Sequence, residues 1–362
     1  MNKKPLLLNQ KLGTRNFLGN KVDRDFKSNA EIAFGNRIDK SQIKKHILIF
    51  TEFDDSEINN VGPYLVASGI DYVRINSEDF FTDNTFTIDY PENSDIRVRL
   101  KNKYQTIDLA DFDYIWFRHF SANTFFSMNN EKFDKVTQLY IKQQWQIIIN
   151  TIGILFENKM VVPVNANYCI SKPIQLKLAQ NVGFKIPDSL ITNDLKEIQN
   201  HFQDNKIFAK ALFHHSVEAE PGILTDFYGR TFNNSDLLVN EDVKSAPTIF
   251  QKGLNNKNVS EYRVSIFGDN IVAMKYMNVS EDDWHNEDIT GIRLEPFKLP
   301  EQVEDKIRLF MDQSNLLIGT IDLLYSQNDW YFLEVNPAGD WRWIEAATDY
   351  SFAPLVVNMF LK

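Results

Sequence analysis

The chain has 362 residues, 43% of them hydrophobic, which fits two or three domains with sizeable cores rather than a single domain. Its formal net charge of −10 argues against nonspecific binding of nucleic acid, so an acidic ligand has to be met by local lysine and arginine side chains. A single cysteine, Cys169, excludes an internal disulfide and a zinc site built from several cysteines. The sequence has neither an apolar run of about 18 residues nor a signal-peptide pattern, so we expect no membrane span and a cytoplasmic location.

Residues 1–44 differ in composition from the rest and are predicted to form an N-terminal extension. They are rich in Asn, Lys, Arg and Gly, and they contain short apolar islands such as Pro5–Leu8. Two interpretations stay open. The segment is a poorly ordered arm, or it is a peptide-like element that docks on the body of the protein.

Residues 45–165 are predicted to form an N-terminal α/β domain. The short apolar runs at 45–50, 72–75 and 114–118 indicate buried strands, and the last run ends in the cation Arg118. Strands that alternate with helices favour a parallel sheet. A long helical pattern covers residues 130–157, where apolar residues recur at helical spacing.

Residues 166–248 are predicted to form a smaller central lobe with two candidate phosphate ligands. Ser171 is a good N-cap for a helix, and Pro173 suits the first helical turn. Lys172 lies in that turn, beside free backbone N–H groups that favour anions. Lys210 ends an apolar strand, so we expect its buried stem to hold the ammonium group in place.

Residues 249–362 are predicted to form a C-terminal lobe that begins with a candidate nucleotide contact. The strand at 249–254 runs into a loop, where a base could stack on apolar side chains and read backbone groups, near Gln251, Lys252 and Gly253. Glu261 follows on the next strand, placed to accept hydrogen bonds from ribose hydroxyls. An ordinary inter-domain hinge is the alternative interpretation of this stretch.

A polar turn at Ser326–Asp329, flanked by apolar and aromatic residues, predicts a β-hairpin near the carboxy terminus. If the hairpin is centred on Asn328, Asp322 lies opposite Glu334, and Asn336 shares their face. Such oxygen ligands suit Mg²⁺, which binds phosphates through one or two carboxylates. Solvated carboxylates on an acidic hairpin are the alternative, but the neighbouring residues are too apolar for a solvated face.

Cations from separate elements complete the predicted site. We expect these side chains to neutralise a triphosphate that two Mg²⁺ ions also bind, and they are Lys172, Lys210, Arg263 and Lys275. Arg342 lies between two tryptophans, where it could meet a carboxylate or phosphate, or simply start a helix packed by aromatic rings. The glycine-rich loops of P-loop and dinucleotide-binding proteins do not occur.

Over about residues 45–362 the sequence resembles the ATP-grasp superfamily. The resemblance is carried by short motifs, which are Ser171-Lys172, Phe208-Ala209-Lys210, Phe250-Gln251-Lys252, Glu261-Tyr262-Arg263, and Asp322 with Glu334-Val335-Asn336-Pro337. Within that superfamily, the stretch Asn336–Trp341 resembles the peptide maturases that make graspetides, of the microviridin and grasp-with-spasm types. Trp116-Phe117-Arg118 is similar to a motif of the same enzymes.

The resemblance implies an ATP-grasp fold of three lobes, with ATP between the central and C-terminal lobes. It assigns phosphate binding to Lys172 and Lys210, and ribose binding to Glu261. Its remaining assignments are adenine to the backbone near Gln251 and Lys252, and Mg²⁺ to Asp322, Glu334 and Asn336. Arg263 is the first candidate for stabilising the transferring phosphoryl group, and Arg118 and Arg342 are candidate substrate ligands.

The resemblance also implies an activity. Such enzymes phosphorylate an Asp or Glu side chain of a ribosomal precursor peptide, and a Ser or Thr hydroxyl or a Lys amine then closes an ω-ester or ω-amide ring. They bind the leader and core of the peptide, the leader largely through the central lobe, here the stretch 209–232, and they suggest a homodimer. By hypothesis, residues 1–44 imitate a leader. Two alternatives stay open: a ligase that adds a separate amine such as glutamate, and a nucleotide sensor without turnover.

Overall fold

The computed structural model describes residues 43–78, 80, 84–102, 105–120, 133–203, 206–213, 216–220, 223–227, 229–233, 241–254, 259–277 and 293–362. The predictions for the N-terminal extension therefore concern residues that lie almost entirely outside the described ones. The described helices, numbered α1 to α8 in chain order, are Ser56–Ala67, Lys135–Leu155, Ala166–Cys169, Lys172–Asn181, Leu195–Phe202, Glu301–Gln313, Arg342–Ala347 and Ala353–Leu361. Among these helices, none is long and apolar enough to cross a bilayer.

Six strands belong to the N-terminal region, and they form two sheets. In chain order they are β1 Lys45–Thr51, β2 Ile70–Asn76, β3 Thr85–Asp89, β4 Arg97–Lys101, β5 Thr106–Asp108 and β6 Tyr114–Phe117. Strands β2, β1 and β6 pair in parallel in that order, as the alternation of strands and helices predicted. Because the three strands run the same way, their carboxyl ends meet at one edge, where Arg118 and His119 follow β6. The other three strands form a separate antiparallel sheet.

Helix α2 confirms the helical pattern predicted for residues 130–157, but its apolar face is not the one that the chain buries. The helix begins after the N-cap Asp134, whose Oδ1 accepts a hydrogen bond from the Thr137 N–H at 2.9 Å. Its buried residues are Ile149 and Ile152. By contrast, an apolar stripe that includes most of the predicted face is exposed: Val136 77%, Leu139 60%, Tyr140 62%, Ile147 58% and Ile154 73%.

The central lobe is built on a four-stranded antiparallel sheet. Its strands are β7 Ser189–Thr192, β8 Lys206–Lys210, β11 Arg230–Asn233 and β12 Thr248–Lys252, in the spatial order β11-β8-β12-β7. The boundary predicted at residue 248 thus separated β12 from the sheet to which it belongs. Between β8 and β11, strands β9 Ser216–Glu220 and β10 Ile223–Asp226 pair as an antiparallel hairpin.

The C-terminal lobe is built on a five-stranded antiparallel sheet. Its strands are β13 Ser260–Phe267, β14 Asn270–Tyr276, β15 Leu294–Phe297, β16 Ile318–Ser326 and β17 Asp329–Asn336, in the order β15-β14-β13-β16-β17. One face packs into the largest hydrophobic core, against residues of α6 and α8. Helix α4 packs on the edge strand β17. The Gln175 side chain there exchanges hydrogen bonds with the Val335 backbone, at 2.9 Å to its N–H and 3.1 Å to its C=O.

The register of the β16–β17 hairpin has two causes. The turn lies at Ser326–Asp329, as expected, and its two-residue loop is Gln327 and Asn328, with φ values of 52° and 63°. The hairpin is therefore centred between these two residues and not on Asn328. A β-bulge at Leu333 then shifts the pairing by one residue. The shift places Asp322 opposite Glu334, which confirms the predicted pairing.

Candidate active site

The β16–β17 hairpin brings the predicted metal ligands onto one face of the C-terminal sheet. Asp322 is opposite Glu334, and Thr320 is opposite Asn336, so all four side chains lie on the same face. The Asn336 Oδ1 accepts a hydrogen bond from the Ala338 N–H at 3.0 Å, which ties the amide to the following turn. Two carboxylates and an amide oxygen form the donor set that Mg²⁺ prefers. The residues present therefore fit a magnesium site.

Glu334 lies between the two lysines of the central lobe. The Lys210 Nζ donates to its Oε2 at 2.9 Å, and the Lys172 Nζ is 3.4 Å from the same oxygen. Burial would raise the pKa of the Glu334 carboxyl, but the two ammonium groups outweigh burial and hold that pKa well below its usual range. The carboxylate is therefore ionised and ready to act as a ligand.

Backbone carbonyls fix the positions of the same two lysines. The Lys172 Nζ donates to the Ala211 C=O at 2.9 Å, and the Lys210 Nζ donates to the Leu333 C=O at 3.3 Å. Burial lowers the pKa of Lys172, and the positive charge of Lys210 lowers it further. Two ammonium groups from α4 and β8 thus converge on one carboxylate of the C-terminal hairpin, as expected for phosphate ligands between two lobes.

Arg263 pairs with the other carboxylate. It lies opposite Asp322 in the β13–β16 ladder, and its Nη1 donates to both carboxylate oxygens, at 2.8 and 2.7 Å. Burial opposes the charged form, but Asp322 outweighs it and raises the pKa of Arg263 above its usual value. The Nε of Arg263 is buried without a hydrogen-bond partner among the described residues. An unused donor beside two carboxylates is suited to a phosphate oxygen.

The predicted nucleotide contacts are only partly assembled. Gln251 is buried and donates to the Ser189 Oγ at 3.0 Å, whereas the N–H groups of Lys252 and Gly253 donate to the backbone carbonyls of Asp188 and Lys206, at 2.8 and 2.9 Å. These N–H groups are therefore engaged within the protein, and an adenine contact here stays a prediction. Glu261 lies on the same sheet face as Arg263, two residues before it, which is compatible with a ribose contact.

Lys275 does not join the other cations. It lies opposite Tyr262 in the β13–β14 ladder, and Tyr262 lies opposite the buried Leu323, so Lys275 is on the face opposite to Arg263. Its ammonium group lies 6.0 Å from the centre of the Tyr262 ring. The sequence showed that Lys275 was on a neighbouring strand but not which residue it would face, because the register depends on the turn between β13 and β14.

Arg118 is enclosed by carboxylates and links the N-terminal and C-terminal lobes. Its side chain is inaccessible to solvent, with its Nε 3.0 Å from the Asp55 Oδ2 and its Nη2 3.1 Å from the Glu57 Oε2. The Nη2 also donates to the Asp340 Oδ1 at 2.5 Å, and the Nη1 donates to the Ala338 C=O. We call Arg118, Asp55, Glu57 and Asp340 the Arg118 cluster. The guanidinium group is fully engaged, and substrate binding by Arg118 stays a prediction.

Arg342 starts helix α7 and is half-exposed. Its guanidinium group pairs with Glu345, and its backbone N–H donates to the Glu57 Oε1 at 3.1 Å. The part of its side chain that remains accessible leaves the predicted substrate role open. Sequence reasoning missed Asp55, Glu57 and His119, all of which contribute to this junction. The local signal was a pair of acidic residues around the start of helix α1.

Comparison with known proteins identifies the fold. The sequence matches no model of a protein family and no curated protein. Two similar solved structures cover 87–88% of this chain: a RiPP-associated ATP-grasp ligase of Chryseobacterium gregarium, in complex with ADP and a leader and core peptide (23% identity, TM-score 0.71, 96% of that chain), and the macrocyclase MdnC of Microcystis aeruginosa, bound with precursor peptide MdnA (20% identity, TM-score 0.68, 99% of that chain).

A third similar structure is the ATP-grasp ligase PsnB, complexed with a phosphomimetic variant of a minimal precursor, Mg and ADP. It shares 18% identity and a TM-score of 0.65 with this chain, and the match covers 88% of this chain and 98% of PsnB. The chain therefore has the α/β ATP-grasp fold, as its motifs indicated.

Proposed function

We propose that this chain is an ATP-dependent, ADP-forming ligase that closes rings within a ribosomal precursor peptide. The observation that carries the proposal is the pairing of the hairpin carboxylates Asp322 and Glu334 with cations from three separate elements. The fold supports it, because the similar structures are ligases whose complexes contain ADP, Mg or precursor peptides.

The residues of the site have distinct tasks in this proposal. Asp322, Glu334 and Asn336 hold Mg²⁺, which offsets the crowded negative charge of the phosphates. Lys172 and Lys210 turn from Glu334 to the phosphate oxygens. Arg263 keeps its planar guanidinium group beside Asp322, and its unused Nε faces the transferring phosphoryl group.

The proposed chemistry activates a carboxylate, which is by itself a poor electrophile. Transfer of the γ-phosphoryl group to a peptide Asp or Glu gives an acyl phosphate with a good leaving group. A hydroxyl or amine of the same peptide then attacks the carbonyl carbon and releases phosphate. Because the enzyme holds both groups on one chain, ring closure is intramolecular, which lowers the entropic cost of bringing the two groups together.

Mass spectrometry tests the function directly. The probe is a short peptide with clustered Thr or Ser and Asp or Glu residues, to be sought among the reading frames beside this gene, which we call the precursor peptide. With Mg²⁺ and ATP, we expect the peptide to lose the mass of one water for each ring and one ADP to appear per ring. The Asp322→Asn, Glu334→Gln double variant should produce neither.

Other outcomes would overturn the proposal. A gain in the mass of a separate amine such as glutamate would identify a ligase with two substrates. No ADP formation stimulated by the precursor peptide, together with an unchanged peptide mass, would favour a nucleotide sensor without turnover.

The quaternary structure belongs to the same proposal. The exposed apolar stripe of α2 repeats at Tyr140, Ile147 and Ile154, seven residues apart, which is the spacing of a helix seam. We propose that two copies of the chain pair through this stripe as a homodimer. A cytoplasmic location and a leader-like role of residues 1–44 stay predictions.

A further inference from the structure

His119 occupies an unusual position at the carboxyl end of the parallel sheet. It follows Arg118 directly after β6, at the edge where the crevice of such sheets lies. Its φ is 53°, in the left-handed region that few residues with a Cβ adopt, and such backbone strain concentrates at functional sites. The side chain is 34% exposed, so solvent and ligands reach part of the imidazole ring.

Asp340 orients the His119 ring. The imidazole Nε2 lies 2.9 Å from the Asp340 Oδ1, and the same oxygen accepts from the Arg118 Nη2 at 2.5 Å. Asp55 and Glu57 fix Arg118 in turn, so the carboxylate that meets the ring cannot easily turn away. With Nε2–H donated to Asp340, the Nδ1 atom is the free base, and it makes no hydrogen bond to the described residues.

The His119–Asp340 pair lies at the turn that follows the proposed metal ligand Asn336. Asp340 follows Asn336 by four residues, and the chain between them folds back, with the Gly339 N–H donating to the Asn336 C=O at 3.2 Å. Gly339, at a φ of 63°, permits this turn. The Asp340 carboxylate is also close enough to Arg263 to favour its charged form. Two distant segments of the chain thus bring the imidazole, through Asp340, to the turn that follows Asn336.

The groups around His119 shift the pKa of its imidazole upward. Burial lowers the pKa of His119, but the hydrogen bond that the ring donates to the Asp340 carboxylate outweighs burial and raises that pKa above its usual value of 6.5. The other charged groups that face the ring are Arg118, Asp55 and Glu52, from β6, the start of α1 and the end of β1. A base with a pKa near the working pH transfers protons most effectively.

We propose that His119 is the general base of ring closure and that Asp340 is its positioning residue. The proposal rests on the proposed function. The Nδ1 atom accepts the proton of a Ser or Thr hydroxyl while the oxygen attacks the carbonyl carbon of the acyl phosphate. The new C–O ester bond forms, the C–O bond to the phosphate breaks, and phosphate leaves with the electron pair. His119 then returns its proton to the released phosphate or to water.

Hydroxylamine separates the two halves of the reaction. Hydroxylamine attacks acyl phosphates without a base and converts them into hydroxamates, so it reports phosphoryl transfer to the precursor peptide. In His119→Gln we expect ring closure to fall about 100-fold or more, and hydroxamate formation to stay within about twofold of the wild type. His46→Gln is the matched control, because His46 lies 3.6 Å from Asp71 at the opposite end of the same sheet. It should leave both rates unchanged.

The pH profile provides a second readout. The base has to be neutral, so the wild-type rate of ring closure should rise with pH through the raised pKa of His119. Asp340→Asn removes the carboxylate that raises this pKa, and the midpoint should move to lower pH. Ring closure at the wild-type rate in the His119→Gln variant would overturn the role of His119. So would a variant in which the rates of hydroxamate formation and of ring closure fall equally. If the wild-type protein produces neither product, the proposed function itself fails and this inference falls with it.

Discussion

At the scale of single residues, the candidate site neutralises its own charges. Glu334 is paired with Lys172 and Lys210, and Asp322 is paired with Arg263. A metal ion alone would take the carboxylates away from these cations and leave positive charges together. A nucleotide alone would take the cations and leave the carboxylates facing phosphates. Each ligand therefore neutralises the charges that the other leaves unpaired, so the metal ion and the nucleotide should bind more tightly together than alone.

Isothermal titration calorimetry tests this exchange of partners. We expect ADP to bind at least about tenfold more tightly with Mg²⁺ than without it, which corresponds to about 1.4 kcal/mol of coupling. The Glu334→Gln variant frees both lysines, so it should bind metal-free ADP more tightly than the wild type and respond little to Mg²⁺. Equal affinity for ADP with and without Mg²⁺ in the wild-type protein would contradict the exchange.

Arg118 is the residue whose removal should cost the most stability. Arg118→Met leaves the buried carboxylates of Asp55 and Glu57 without their cation, and an uncompensated buried charge costs about 3–5 kcal/mol. Urea unfolding should show this loss as a lower midpoint. Arg308→Met is the matched control, since the exposed Arg308–Glu304 pair contributes no more than about 1 kcal/mol. Similar losses in the two variants would show that the Arg118 cluster is not what stabilises this junction.

At the scale of elements, the β16–β17 hairpin depends on a turn that the sequence does not favour. Both turn residues have positive φ, but neither Gln327 nor Asn328 is glycine. Asn tolerates this conformation better than most residues, and Ala does not. We expect Asn328→Ala to lower the free energy of unfolding by about 1 kcal/mol and Asn328→Gly to leave it equal or higher. Urea titrations of the two variants measure the difference, and an Ala variant as stable as the Gly variant would refute it.

The same hairpin shows how far sequence patterns reach. The apolar and aromatic residues on either side of the polar turn located both strands, and the facing of Asp322 and Glu334 was predicted correctly. The prediction assumed a turn centred on Asn328, whereas the observed register combines a tighter turn with the Leu333 bulge. No residue pattern marks that bulge, and the carbonyl of Leu333 accepts a hydrogen bond from Lys210 of another lobe. Long-range contacts of this kind decide registers that local propensity leaves open.

Helix α2 shows a different limit. Its apolar spacing predicted a helix correctly, since period is a local property. The spacing does not reveal whether an apolar face packs within the chain or against another chain. Here Val136 and Ile147 are exposed, and the buried residues lie on another side.

At the scale of the whole molecule, the exposed stripe of α2 predicts self-association. We expect the wild-type protein to have the mass of a dimer in light scattering, and the Ile147→Glu, Ile154→Glu variant to have the mass of a monomer, because charges in an apolar interface are costly. Leu309→Glu is the matched control, since Leu309 is an exposed apolar residue on α6, away from the stripe. A wild-type protein that stays monomeric at high concentration would rule out the dimer.

The junction of the first and last lobes was the hardest feature to predict. The motifs Trp116–Arg118 and Asn336–Trp341 were both recognised, but 222 residues separate Arg118 from Asp340, and no periodicity connects them. Their contact follows from the assembly of the lobes, which brings the end of β6 to the segment after β17. The motifs that contain Arg118 and Asp340 were recognised in the sequence, whereas the contact between the two residues was not predicted.

Glu57 has a practical consequence for engineering this protein. One oxygen of its carboxylate accepts hydrogen bonds from the backbone N–H groups of Trp341 and Arg342, at 3.2 and 3.1 Å. These residues lie 284 and 285 positions further along the chain. A chimera that takes its carboxy-terminal half from a homologue would contain a backbone turn from one parent, while the carboxylate that accepts its hydrogen bonds comes from the other parent. Recombination that keeps the start of α1 and the stretch after β17 from one parent should give folded hybrids more often than a crossover placed between them.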